Sequence, residues 1–207
     1  QRGTIDVNGE AVSFLGNMGV YPGVSAPGAR NILLLHGARY SAQTWQELGT
    51  LTLLAASGYR VAAVDLRLNL GEPPRDELLE LICRGLGMAE DAPAVIISPS
   101  MSGSFSVPLL LRKSDLFAGY IPIAPGAARE YSSEDFAAVE GVPALIIYGE
   151  TDRMGARVSE LLEAIPGSHV VMIDGAGHPA YLDSPERFHS LLLDFLTDTF
   201  SLGRMRG

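Results

Sequence analysis

Short apolar runs alternate with helical patterns along most of this chain, and that alternation restricts the fold more than any other feature. The runs are Ile32–Leu35, Arg60–Val64, Ala94–Ile97, Tyr120–Ile123, Ala144–Tyr148 and Val170–Ile173. Helical spacing lies between them at Gln46–Ala56, Asp76–Arg84, Ser102–Leu111, Ser133–Val139 and Ala156–Ile165. A last helix starts from Ser184 as N-cap, with Pro185 at its first position, and extends to about Phe200. Strands of this length separated by helices imply βαβ units and a mostly parallel sheet. Right-handed crossovers then place helices on both faces. Ahead of these units, Thr4–Phe14 alternates around Asn8-Gly9, the preferred pair for a type I′ turn, and reads as an N-terminal hairpin. A Gly/Pro-rich loop follows from Gly16 to Arg30. The expected class is α/β, with all 207 residues in a single domain.

Composition removes several functions. Net charge is −9, and Lys/Arg form no cluster, which argues against a nucleic-acid partner. No apolar run approaches the roughly 20 residues of a membrane-spanning helix. Cys83, the single cysteine, permits no intrachain disulfide and no cysteine-based zinc site, and reads as a small apolar residue in a helix. The histidines His36, His169, His178 and His189 show no HExxH spacing, so no metal is expected.

In sheets of this kind ligands bind beyond the carboxyl ends of the strands. Ala94–Ile97 leads into Ser98-Pro99-Ser100-Met101-Ser102-Gly103. A nucleophile elbow needs a serine at the apex of a sharp strand-to-helix turn, with small residues two before and two after. Ser98 would have Ile96 as a flank, which is too large, and Ser102 falls where the helix should already run. Ser100 is the chosen nucleophile, with Ser98 and Ser102 in the places usually held by glycine. Glycine's tolerance of positive φ is thereby lost at both flanks. His36-Gly37-Ala38-Arg39 follows another strand and has the form of an oxyanion loop. The amides of Ala38 and Met101 are the expected oxyanion donors, and Met101 opens a helix whose N-terminus favours negative charge. His36 reads as a histidine that fixes this loop.

Asp152 lies in a turn after Ala144–Tyr148, with Glu150 as its competitor and helix capping as its alternative role. His178 sits in the Gly-rich loop after the last strand, freed from regular structure and placed as a general base. His169 precedes its strand, and His189 falls inside the last helix. The chain order Ser100, Asp152, His178 is that of the α/β-hydrolases. Arg39, Arg67 and Arg153 follow strands at the same end, as candidates for a rim that attracts an anionic substrate. Only one short helical piece fits between Ala124 and Ala144, where such folds insert a lid, so the lid is expected to be minimal.

Several segments together carry a family resemblance. They are Ile96-Ile97-Ser98-Pro99-Ser100-Met101-Ser102-Gly103, Leu34-Leu35-His36-Gly37 with Thr44-Trp45, Leu48-Gly49-Thr50-Leu51 and Gly58-Tyr59-Arg60. Ile147-Tyr148-Gly149-Glu150-Thr151-Asp152 and Gly175-Ala176-Gly177-His178-Pro179-Ala180-Tyr181-Leu182-Asp183 complete the set. With them the chain resembles the α/β-hydrolase domain-containing protein 14 family from Gly3 to about Leu196, and the Ser-Pro-Ser elbow is its most specific element. The resemblance implies a serine hydrolase in which Ser100, Asp152 and His178 match the family triad. It implies short acyl esters or amides, or acetylated protein lysine, as substrates, with coenzyme A as acyl acceptor in one branch. That branch is cytosolic and nuclear and was named for binding a transcription factor subunit; the other is anchored in a membrane by an upstream segment. The turn after Asp65-Leu66, from Arg67 to Pro74, departs from the family pattern. The alternative to an enzyme is a catalytically silent fold of this class used for protein binding.

Overall fold

The computed structural model describes residues 1–18, 30–66 and 73–200. Most of the Gly16–Arg30 loop and of the departing turn after Leu66 therefore lies outside the described residues. Among the described residues, eight strands form one sheet: β1 (Arg2–Val7), β2 (Glu10–Gly16), β3 (Asn31–Leu34), β4 (Arg60–Val64), β5 (Ala94–Pro99), β6 (Phe117–Ile123), β7 (Leu145–Gly149) and β8 (His169–Ile173). Their order across the sheet is β1-β2-β4-β3-β5-β6-β7-β8. β1 and β2 are the expected hairpin, with Val7 opposite Glu10 and positive φ at Asn8 (53°) and Gly9 (84°). β2 joins β4 antiparallel, and all later pairings are parallel.

The apolar runs are continuous because the sheet is covered on both sides. Alternate residues of each strand enter different cores. Leu33, Ala62, Val64, Ile96, Tyr120 and Ile146 pack on one face against α3 (Arg75–Gly85), α4 (Gly103–Arg112) and α6 (Arg153–Leu162). Ile32, Leu34, Val61, Ile97, Ile121 and Ile147 pack on the other against α1 (Ala42–Glu47), α2 (Thr50–Ala56) and the last helix, α8 (Pro185–Phe200). Two further short helices are α5 (Ser133–Ala137) and α7 (Ala180–Asp183). Cys83 lies inside the first core, where burial pushes its thiol up to about 12.

Three details differ from expectation. The helix predicted over Gln46–Ala56 is two helices, because Gly49 takes φ 82° and interrupts the ladder. The first of them begins earlier, where the Ser41 side chain caps the backbone and the Asp65 carboxylate accepts the Ala42 N–H at 2.8 Å. His169 is the first residue of β8 rather than a residue before it. Pro122 is tolerated inside β6, with a local cost. Tyr120 and Ala124 donate their amides to Pro143 and Ile147, on the β7 side. Pro122 has no amide to give between them. The β6–β7 ladder is reduced to the Ile123–Ile147 pair and an isolated Tyr120–Ala144 bridge.

The segment between β6 and β7 is short, as expected: a 3-10 turn at Gly126–Glu130 and α5. Away from the sheet, α3 is tied to the end of α4 through Glu80. Its carboxylate meets Lys113 at 2.7 Å, Arg112 at 2.9 Å and Arg84 at 3.2 Å. Lys113 first, then Arg112 and Arg84, hold the Glu80 carboxyl well below its ordinary 4.5, at about 2, against the opposing effect of partial burial. A lowered folded-state value stabilises the fold above about pH 4.5, and that stability is lost as pH falls toward 2. Glu80→Gln should therefore lower the urea midpoint at pH 7. The gap to wild type should close between about pH 4.5 and 2, as followed by urea titrations across that range.

Candidate active site

β5 ends at Pro99, so Ser100 stands at the sharp turn between strand and helix. Its φ is 50°, in the left-handed region that costs a non-glycine residue on the order of 1–2 kcal/mol. The strain is therefore at the apex. Ser98 is ordinary strand, and Ser102 has φ −64°, so neither flank needs glycine's backbone freedom. Small size is what matters there, and the two hydroxyls are put to use. Ser98 Oγ lies 3.0 Å from Ser102 Oγ and 2.7 Å from Ser106 Oγ. Ser106 continues to Tyr120 Oη at 2.8 Å, and Ser102 donates to the Pro99 carbonyl at 2.8 Å. All four side chains are fully buried. Burial raises the Tyr120 phenol above its ordinary range, which keeps its proton available to the chain. These bonds clamp β5 to α4 and β6 on either side of the turn. The helical spacing of Ser98, Ser102 and Ser106 is the signal by which this network could have been found in the sequence.

The His178 ring connects the two other predicted residues. Its Nε2 is 2.7 Å from Ser100 Oγ, and its Nδ1 is 2.6 Å from Asp152 Oδ2. A hydrogen-bonded line thus runs from hydroxyl to imidazole to carboxylate. Asp152 is almost wholly buried and makes no side-chain cap to α6, which removes the helix-capping alternative. Glu150, its competitor, turns to the outside and accepts the Gly175 N–H at 2.8 Å. It braces the loop that carries the histidine. Thr151 N–H and Oγ1 both donate to Ala176 O at 3.0 Å, and Asp183 accepts the Gly177 N–H at 2.7 Å.

Two glycines make room for this arrangement. A Cβ on Gly149 would collide with the Ala176 and Gly177 carbonyls, so the histidine loop can lie across the end of β7 only if that residue is bare. A Cβ on Gly155 would sit 2.5 Å from Asp152 Oδ2 and 3.0 Å from Ala124 Cβ. Gly155 is the residue missed by sequence reasoning that bears most directly on the site. It stands just before the helical pattern that begins at Ala156, and its place in the sequence gives no sign of that contact.

His36 is buried and fixes its loop, as expected. Leu66 N–H donates to Nε2 at 2.9 Å, so the ring proton is on Nδ1 and goes to Gly37 O at 2.8 Å. Ala38 follows at the exposed tip, inside a turn closed by Tyr40 N–H to Gly37 O at 3.0 Å. Met101 is the second residue of a helical turn, so its amide has no intrahelical acceptor. His189 bonds Thr50 Oγ1 at 2.8 Å, far from Ser100 in the fold's second core, and burial lowers its pKa.

Among the described residues, Ser100 lines two clefts. One, of about 380 Å³, is bounded by Gly37, Ala38, Arg39, Tyr40, Pro99, His178, Pro179 and Tyr181. Tyr181 stacks on Trp45 at 4.8 Å, and burial keeps its phenol above the ordinary range. The other, of about 250 Å³, is bounded by Arg75, Met101, Ser104, Gly126, Ala127, Arg129 and Glu130. The predicted rim of arginines is corrected in part. Arg39 is on it, Arg67 lies outside the described residues, and Arg153 is exposed at the start of α6 and lines neither cleft. Arg75 and Arg129, from segments distant in sequence, occupy the second cleft instead. Among the described residues, no group of His, Cys, Asp and Glu can hold a metal, and no helix is long and apolar enough to cross a membrane.

The human protein named "Putative protein-lysine deacylase ABHD14B" is 41% identical over 205 residues, covering 95% of each chain. The rat protein ABHD14A is 42% identical over 176 residues, covering 80% of this chain and 71% of that one. The chain belongs to the α/β-hydrolase domain-containing protein 14 family. It is a hydrolase of α/β-hydrolase fold, as the resemblance implied. A crystal structure of a "predicted CIB-like hydrolase" from Thermoplasma acidophilum superposes with TM-score 0.82, at 25% identity, over 96% of this chain and 98% of that one. The Bacillus subtilis carboxylesterase CesB shares the fold, with TM-score 0.71 at 18% identity over 95% of this chain and 91% of that one. No family model matches the sequence.

Removing the Ser98 hydroxyl would take one partner from each of the buried hydroxyls of Ser102 and Ser106. Ser98→Ala is expected to cost about 1–3 kcal/mol of stability, read from the shift in urea midpoint at constant m-value.

Proposed function

We propose that this protein is a serine acyl hydrolase or acyltransferase that works through an acyl-Ser100 intermediate. The observation that carries the reading is the line Ser100–His178–Asp152, with contacts of 2.7 and 2.6 Å at a strained strand-to-helix turn. In this mechanism Ser100 Oγ attacks the acyl carbonyl carbon, and its proton passes to His178 Nε2. Asp152 keeps the other ring proton on Nδ1 and stabilises the imidazolium. The carbonyl electrons move onto oxygen, which the Ala38 and Met101 amides and the start of the helix stabilise. Collapse breaks the bond to the leaving group, and His178 returns the proton to it. A water or a thiol then repeats the sequence in reverse and frees Ser100.

The minimal lid suits small acyl groups on bulky carriers. The name of the human relative, a protein-lysine deacylase, favours an acylated lysine as one such carrier. Coenzyme A would enter as a substrate whose thiol takes the acyl group. Its phosphates would meet the exposed Arg39 at the mouth of the larger cleft.

Fluorophosphonate labelling read by intact mass tests the nucleophile. One adduct is expected on wild type and none on Ser100→Ala. A folded wild-type protein that takes no adduct would instead make the chain a binding module of this fold. Gly155→Ala tests the acid without altering it chemically. The new methyl displaces the Asp152 carboxylate, and ester turnover should fall about 10²-fold, with a matching fall in the labelling rate.

A further inference from the structure

Resting on the proposed acyl-Ser100 mechanism, we infer that the Arg75/Arg129 cleft receives the acyl chain and selects acyl groups that end in a carboxylate. The substrate class is the monoacyl group of a short dicarboxylic acid.

The direction of the acyl chain follows from the position of the base. His178 must give a proton to the leaving group and take one from the acceptor, so both must lie on its side of Ser100. His178 lines the larger cleft and is absent from the lining of the smaller one. The leaving group and acceptor therefore occupy the cleft of Tyr40 and Tyr181. The acyl chain is directed into the other cleft that Ser100 lines among the described residues.

That space is charged against the trend of the molecule. Among the described residues, Arg75 and Arg129 share this cleft with one carboxylate, Glu130, in a protein of net charge −9. Arg75 is held in place: its Nη1 donates to Ser104 Oγ at 2.8 Å, and its guanidinium lies 5.4 Å from the centre of the Phe105 ring. Ser104, which anchors Arg75, follows Ser100 across the start of the helix, and all three residues line this one cleft. A short acyl chain bound to Ser100 enters the same cleft, and its terminal carboxylate can meet the guanidinium fork. The phosphates of coenzyme A are separated from its thiol by the whole pantetheine arm. They cannot lie this close to an acyl carbon on Ser100, so the anion in this cleft belongs to the acyl group.

The test compares 4-methylumbelliferyl hemisuccinate with 4-methylumbelliferyl butyrate, two esters of the same chain length. Ser100→Ala supplies the background to be subtracted. Wild type should favour the hemisuccinate in kcat/KM. Arg75→Gln/Arg129→Gln should lower the hemisuccinate-to-butyrate ratio about tenfold, the scale of an exposed charge-assisted contact. Added NaCl should lower the wild-type ratio in the same direction. Arg153→Gln, outside both clefts, should leave the ratio unchanged. A wild-type ratio at or below one, or a ratio unmoved by the double substitution, overturns the inference. Fluorophosphonate labelling of Ser100 separates that outcome from failure of the acyl-enzyme reading, because the probe carries no carboxylate.

Discussion

The backbone turn at Ser100 holds a positive φ that serine does not choose by itself, and the site is assembled around what keeps it there. β5 is the central strand, paired on both sides and buried on both faces, so its end cannot move. The hydroxyls of Ser98, Ser102, Ser106 and Tyr120 then join strand, helix and neighbouring strand beneath the apex. Relatives of this fold usually solve the same steric problem with glycine at the flanks. Here small polar residues satisfy the close approach and add hydrogen bonds to it. Each bond lies in a dry interior, where losing a partner costs more than the bond itself contributes.

The rest of the site is arranged as a set of braces around one ring. His178 sits on a loop without regular structure, yet Glu150, Thr151 and Asp183 each bond that loop. Two of those three come from the turn that also supplies Asp152. Asp152 and His178 are thus positioned by the same short stretch of chain after β7, and one displacement there would move both.

Much of this was legible in the sequence for a simple reason. Strands covered on both faces are apolar throughout, and the turns that follow them are rich in Gly, Pro and polar residues, so each strand end marks itself. Ser100, Asp152 and His178 could be picked out because each stands immediately beyond such a run. What escaped was whatever depends on contacts across the chain. Gly155 is small because Asp152 folds back over it, and nothing in the local pattern distinguishes it from a packing glycine. The break at Gly49 hides in an otherwise uniform apolar spacing. The arginines were misjudged for the same reason. Position after a strand places Arg39 at the rim but not Arg153, whereas Arg75 and Arg129 reach the site from a helix start and a connecting turn.

Pro122 has a consequence that extends beyond its own strand. The missing amide thins the ladder between β6 and β7, the weaker of the two strand boundaries that lie between Ser100, at the end of β5, and Asp152 and His178, after β7 and β8. Ser100 and the His178–Asp152 pair bonded to it therefore belong to two halves of the sheet joined by a seam with few hydrogen bonds. Above that seam, Ala124, Gly155 and Asp152 pack side by side and close it at the site end. Alignment of the hydrogen-bonded line from Ser100 to Asp152 is then a property of how two plates meet, and any ligand that bridges both clefts of Ser100 would act as a rivet across them.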